Sequence, residues 1–158
     1  MASQFQFLVS QKLFLAKTLL ATQERSSHQA EREAMNQGAV ELMLRARRLL
    51  LAMISDFYQH RGSSPTDLAT LSALIGDDAA EIVELAHLIT QPGNWWARLD
   101  ELEAGQDKPP AKQKTVSAEN IIAVSVASGP DRSPDSLADV IDTMKRFSDT
   151  VAERHNEW

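Results

Sequence analysis

Residues 38–58 read GAVELMLRARRLLLAMISDFY, and their pattern decides the fold. At about 100° per residue, Glu41, Arg45, Arg48, Ala52, Asp56 and Gln59 fall on one narrow polar strip. Nearly everything else from Val40 to Tyr58 is apolar, so more than half of the helix circumference must be covered. The stretch predicts the central helix of a bundle. Arg47 departs from the pattern, lying about 20° from Val40, Ile54 and Tyr58 inside the apolar arc. An unpaired buried charge is very costly, so a guanidinium there needs a carboxylate, backbone carbonyls or an anionic ligand. It pairs with an acid of another helix, snorkels out at the bundle edge, or binds a ligand or partner.

On the N-terminal side, residues 4–25 hold no Pro or Gly, and Val9, Leu13, Ala16 and Leu20 recur with helical spacing. Phe5, Leu8 and Leu19 widen that stripe. Ser26-Ser27-His28-Gln29 reads as a break and restart in the capping-box pattern, with Asn36-Gln37-Gly38 as a second place for the turn. The central helix ends near His60 or Arg61, before Gly62-Ser63-Ser64.

On the C-terminal side, Ser64 as cap, Pro65 and Asp67 open a third helix whose apolar face is Leu68, Leu71, Leu74 and Ile75. Asp77 and Asp78 cap a fourth helix running to Thr90. Ile82, Val83, Leu85, Ala86 and Ile89 are expected inward, with Asp78, Glu81, Glu84, His87 and Gln91 on a solvated face. Asn94 caps a short fifth helix, Trp95 to Ala104. Residues 105–117, GQDKPPAKQKTVS, read as a linker. Residues 119–127 hold Ile121-Ile122-Ala123-Val124-Ser125-Val126, the one strand-like stretch, which lies as a strap, turns helical or pairs with a second copy. Ser133 and Pro134 open the last helix, whose stripe is Leu137, Val140, Ile141, Met144, Phe147, Val151 and Trp158. The expectation is an all-α fold: one domain over 1–158, an up-and-down bundle of about four main helices plus short ones. Residues 4–104 form its helical core, and 118–158 return across the linker to complete it.

Composition narrows the chemistry. A chain of 158 residues is long enough to build a core unaided. The absence of cysteine excludes disulfides, thiolate metal sites and a cysteine nucleophile. The net charge of −6 is uneven, at +3 over residues 1–62, −8 over 63–107 and −1 thereafter. The acidic middle repels phosphate backbones, which disfavours nucleic acid, with Arg45 and Arg48 the only basic footprint. The start of the chain lacks a basic signal region. Gln6, Ser10, Gln11, Lys12 and Lys17 interrupt any apolar run long enough to span a bilayer. A cytoplasmic protein with no membrane partner is expected. Phosphate loops, dinucleotide fingerprints, His-Glu-x-x-His and Gly-x-Ser-x-Gly are all missing.

Four residues are candidate ligand- or partner-binding positions: Arg47, Tyr58, Trp95 and Trp96. Adjacent helical residues point about 100° apart, so one indole is expected to plug the core and the other either to pack at the core's rim or to form an exposed partner patch. Glu84-Leu85-Ala86-His87 is half of a helical di-metal motif, but no second copy exists, so no metal site is assigned and no cofactor is implied. His28 and His60 fall at helix ends. His155, between Val151 and Trp158, reads as a core-edge histidine.

Asn36 to Val40, followed by Leu42, Leu44, Ala46, Leu49, Leu50, Ile54 and Tyr58, resembles the central helices of HEPN-type four-helix bundles. It is also similar to a family of small uncharacterised proteobacterial helical proteins. HEPN ribonucleases carry an Arg, four to six residues and a His. Here Arg25 is too close to His28, and Arg48 and Arg146 are too far from His60 and His155. The resemblance therefore implies the fold without the nuclease. The leading expectation is a non-catalytic interaction protein with an unknown protein partner, homodimeric, acting through Trp95 and Trp96 or through 119–127. The alternatives are a bundle binding an anion, small molecule or metal, with or without an enzymatic activity, and a nucleic-acid-associated protein.

Overall fold

The computed structural model of the chain describes residues 3–109 and 129–157. Six helices run through these residues: α1 (Gln4–Arg25), α2 (Gln29–Phe57), α3 (Leu68–Ile75), α4 (Ala80–Ile89), α5 (Trp95–Asp107) and α6 (Pro134–Asn156). The central stretch is helical as its apolar arc requires. Ala39, Val40, Met43, Ala46, Leu50, Leu51, Met53 and Ile54 are all completely buried.

Side-chain pairings give the topology. Lys17 of α1 bonds Asp142 of α6 at 2.8 Å. Asn36, near the start of α2, donates to the Arg132 carbonyl just before α6, whereas Phe57 at its end stacks on His155 near the end of α6. Arg47 pairs with Asp100, and Glu41 with Gln106. Hence α2 and α6 run one way, α1 and α5 the other, and the short α3–α4 pair sits between α2 and α5. This is an up-and-down four-helix bundle with an inserted helical hairpin.

The α6 stripe closes it. Leu137, Val140, Ile141, Met144 and Val151 are buried against the core, each worth roughly 1.5–3 kcal/mol. The exposed Lys17–Asp142 pair adds a few tenths to about 1 kcal/mol at most, so apolar burial rather than the ion pair holds α6.

The turn between α1 and α2 is at residues 26–28, and the chain runs helically through Asn36-Gln37-Gly38. Gly38 serves packing instead: a Cβ there would lie 3.2 Å from Leu19 Cδ1, so the glycine lets α1 come close. The capping box expected at Ser26 does not form, because Ser26 Oγ accepts from the His28 N–H and bonds Glu31. The third helix starts later than Ser64 implied. Asp67 is its cap, in a reciprocal box with Thr70 that satisfies two helix-end donors. Ala79, not Asp77 or Asp78, occupies the cap position of α4. Asn94 caps α5 as expected, accepting from the Ala97 N–H and donating to the Gln91 and Ile89 carbonyls. That helix runs to Asp107, into the expected linker. Ser133 and Pro134 open α6. The strand-like stretch 119–127, residues 110–117 of the linker and Trp158 lie outside the described residues.

Candidate functional site

Three features carry the chemistry of the molecule. The first surrounds Arg47. Its guanidinium reaches Asp100 at 2.6 Å and Glu103 at 3.4 Å, both one or two turns into α5. It also lies over the Trp96 ring, 4.9 Å from the centroid. Two carboxylates against one guanidinium leave no net positive charge to draw an anion, and of the outcomes open to Arg47 this is the ion pair with another helix. Both indoles are buried, Trp95 to 4 % and Trp96 to 7 % exposure, which favours core packing over an exposed patch. The reason is that α5 lies in the cleft between α2 and α6. Trp96 turns under Arg47 of α2, and Trp95 packs against Phe147 of α6 at 5.7 Å between centroids.

The second feature gathers around Glu81, which is completely buried although sequence placed it on a solvated face. Tyr58 donates to its Oε2 at 2.6 Å. Arg154 donates to Oε1 at 2.8 Å, and His155 Nε2–H does so at 2.9 Å, since a carboxylate can only accept. Arg154 also grips Glu84, which takes that carboxylate out of the metal half-motif, while His87 points to Gln91. His155 itself lies flat on Phe57, 4.6 Å between centroids. The cluster joins the ends of α2 and α6 to the start of α4. Burial pushes the Glu81 carboxyl up, but the donors Tyr58, its own backbone N–H, His155 and Arg154 outweigh it and hold the group below 4.5. Tyr58 moves the opposite way. Burial, then the hydrogen bond to and charge of Glu81, push its phenol up to about 12.

One signal for Glu81 was present in the sequence. Glu81, Leu85 and Leu88 stand at i, i+4 and i+7, so the carboxylate shares a face with two leucines that pack inward. Of the four candidate residues, the structure brings Arg47 and Trp96 into contact, sets Trp95 beside them, and places Tyr58 in the separate Glu81 cluster.

The third feature is on α1. Phe7 and Phe14 are 68 % and 71 % exposed, and Leu15 is 39 % exposed. Beside them a shallow groove of about 500 Å³ runs between α1 and α2, lined by Leu8, Lys12, Glu41, Leu42, Arg45 and Leu49.

Residues 6–158 match the model of a family of unknown function, DUF6586. The chain belongs to DUF6586. No curated protein and no solved structure matches it. The DUF6586 match takes in both exposed phenylalanines and all of the Glu81 cluster. No helix among the described residues is long and apolar enough to cross a membrane.

Glu81 is saturated and has no water-facing surface, so it is not placed to act as a base. Two hollows on the surface do not reach it. The larger, about 940 Å³, lies between α2 and the end of α5, lined by Gln37, Val40, Leu102 and Gln106 and edged by Pro109 and Gly129, where the described residues stop. None of the candidate residues lines it.

The chain has one tyrosine, so an ultraviolet titration of phenolate absorbance reports Tyr58 alone. Its midpoint is expected near 12, against 10.0 for a free phenol. Glu81→Gln should bring it part of the way down, because burial remains. A midpoint at the free value would show that the hydroxyl does not meet Glu81. Because folding raises this pKa, the associated stability is complete below the ordinary phenol value and is lost as pH rises through about 12.

Proposed function

We propose that the chain is a non-catalytic interaction protein that docks a polypeptide partner on the outer face of α1. The supporting observation is the pair of phenylalanines one heptad apart on that face, Phe7 and Phe14, each more than two-thirds exposed. Together with Leu15 they expose roughly 350 Å² of apolar surface, taking about 200 Å² for a whole aromatic side chain. Patches of this order on a monomer are often working surfaces. The tryptophans, by contrast, offer no free ring, and Arg47 and Glu81 are consumed by partners within the chain.

A photo-reactive phenylalanine analogue at position 14 tests this in cells of the source organism. Illumination is expected to give an adduct with a second polypeptide from position 14. The same analogue replacing the exposed Arg146 of α6 should give none. No adduct from position 14, or equal yields from the two positions, would remove the reading.

A further inference from the structure

We infer that the occupant of the α1 face is a second copy of this chain, joined as an antiparallel α1–α1 pair about a two-fold axis at the level of Ser10 and Gln11. The inference rests on the α1 face being the docking surface.

Charge is the first support. The outermost strip of α1 is Gln4, Phe7, Gln11, Phe14, Thr18 and Thr22, all exposed and all uncharged. A charged partner surface would lose hydration against this strip and gain no counter-charge. An identical strip meets no like charge in any register. The strip is also ready to be covered: Thr18 and Thr22 already donate their hydroxyls to the Phe14 and Thr18 carbonyls, so covering them orphans no donor.

Spacing is the second. Seven residues advance about 10.5 Å along a helix and return nearly to the same face. An antiparallel pair centred between positions 7 and 14 sets Phe7 on the copy's Phe14, and Phe14 on the copy's Phe7. Near the axis, Gln11 meets the Gln11 of the copy. A carboxamide carries both donor and acceptor and so complements itself. To one side Leu8 and Leu15 extend the seam.

Area is the third. Specific interfaces bury about 800 Å² per partner, somewhat over half of it apolar. The roughly 350 Å² of apolar surface on this face fits an interface at the lower end of that range, and therefore a dissociable dimer of micromolar affinity rather than an obligate one.

The lack of any native cysteine makes single-thiol variants clean reporters. In the antiparallel pair the two copies of position 11 lie about 1.5 Å apart along the axis, and those of position 22 about 35 Å apart. Gln11→Cys is therefore expected to oxidise to a disulfide-linked dimer, and Thr22→Cys to remain monomeric. The unmodified protein should sediment as a monomer–dimer equilibrium in the micromolar range. Phe7→Ser with Phe14→Ser in the Gln11→Cys background should abolish the link and leave the melting temperature within about 2 °C, because both rings are exposed. A strict monomer up to about 100 µM, equal linking at positions 11 and 22, or a link that survives loss of both phenylalanines overturns the antiparallel pair. If the protein is a strict monomer but position 14 still gives an adduct with a different polypeptide, the second copy is excluded and the docking face stands. An adduct only with residues 110–128 of the same chain excludes both.

Discussion

Glu81→Ala lowers the unfolding free energy by about 3–5 kcal/mol, the range for breaking one side of a buried ion pair. At roughly 2–4 °C per kcal/mol for a chain of this length, the melting temperature should fall by about 6–20 °C. Three donors lose their acceptor at once: the Tyr58 hydroxyl, Arg154 and His155. Arg154 is partly exposed and keeps Glu84, which sets the ceiling on the loss. Tyr58 and His155 are less free, since the imidazole is clamped against Phe57. Glu81→Gln keeps the shape and one acceptor and should cost less. Chemical denaturation at neutral pH measures both. The acid limb gives an independent readout. The folded Glu81 carboxyl lies below 4.5, so its contribution is present above that value and is lost as pH falls through the folded pKa. The unmodified protein should lose stability more steeply in acid than Glu81→Gln does. Equal acid limbs, or a loss under about 1 kcal/mol for Glu81→Ala, as expected of a surface carboxylate, would place Glu81 in water.

Trp96→Ala is expected to cost about 3–5 kcal/mol, the usual toll of emptying an aromatic site in a core. The indole fills the cleft between α2 and α5 and floors the Arg47 guanidinium. Part of the effect therefore belongs to the pair. A double-mutant cycle with Arg47→Met should return a coupling of about 0.5–2 kcal/mol. Arg47→Met alone should cost far less than Trp96→Ala, because Asp100 and Glu103 stay hydrated when the guanidinium goes. Denaturant midpoints of the four proteins decide it. Additive losses within about 0.3 kcal/mol would show that the ring and the guanidinium do not interact.

The bundle was legible because its long helices are amphipathic and because α5 and α6 open on conventional caps. Asn94, Ser133 and Pro134 mark helix starts that local chemistry alone determines. Arg47 was legible for the same reason: a cation inside an apolar arc requires a partner, though the pattern could not say that α5 supplies it. Glu81 was misread because a face with four other polar residues looks solvated. Its spacing to Leu85 and Leu88 turns it toward the core, but what buries it is α6, more than seventy residues later in the chain, and a local period cannot name that partner. The near-equal burial of both tryptophans was hidden from the sequence for a related reason. Their burial depends on α2 and α6 closing over both sides of α5. Val83 and Ile89 show the converse, apolar positions on α4 that stay exposed because the hairpin is packed on one side only. The Phe7 and Phe14 stripe lies opposite the Val9, Leu13, Ala16 and Leu20 stripe that defines the core face of α1. A helix apolar on two faces is evident in the sequence once the second face is sought.

The Glu81 cluster also bears on how the protein is made. Its acceptor and its donors are separated by 73 and 74 residues for Arg154 and His155. At translation rates of about 5–20 residues per second, α4 exists for roughly 4–15 s before its counter-charges are synthesised. During that interval Glu81 must remain hydrated, and the inserted hairpin has no neutral seat in the bundle. The α1–α2 pair, whose contacts are local, can assemble first. Seating α4 with the charge of Glu81 compensated thus requires the final turn of α6.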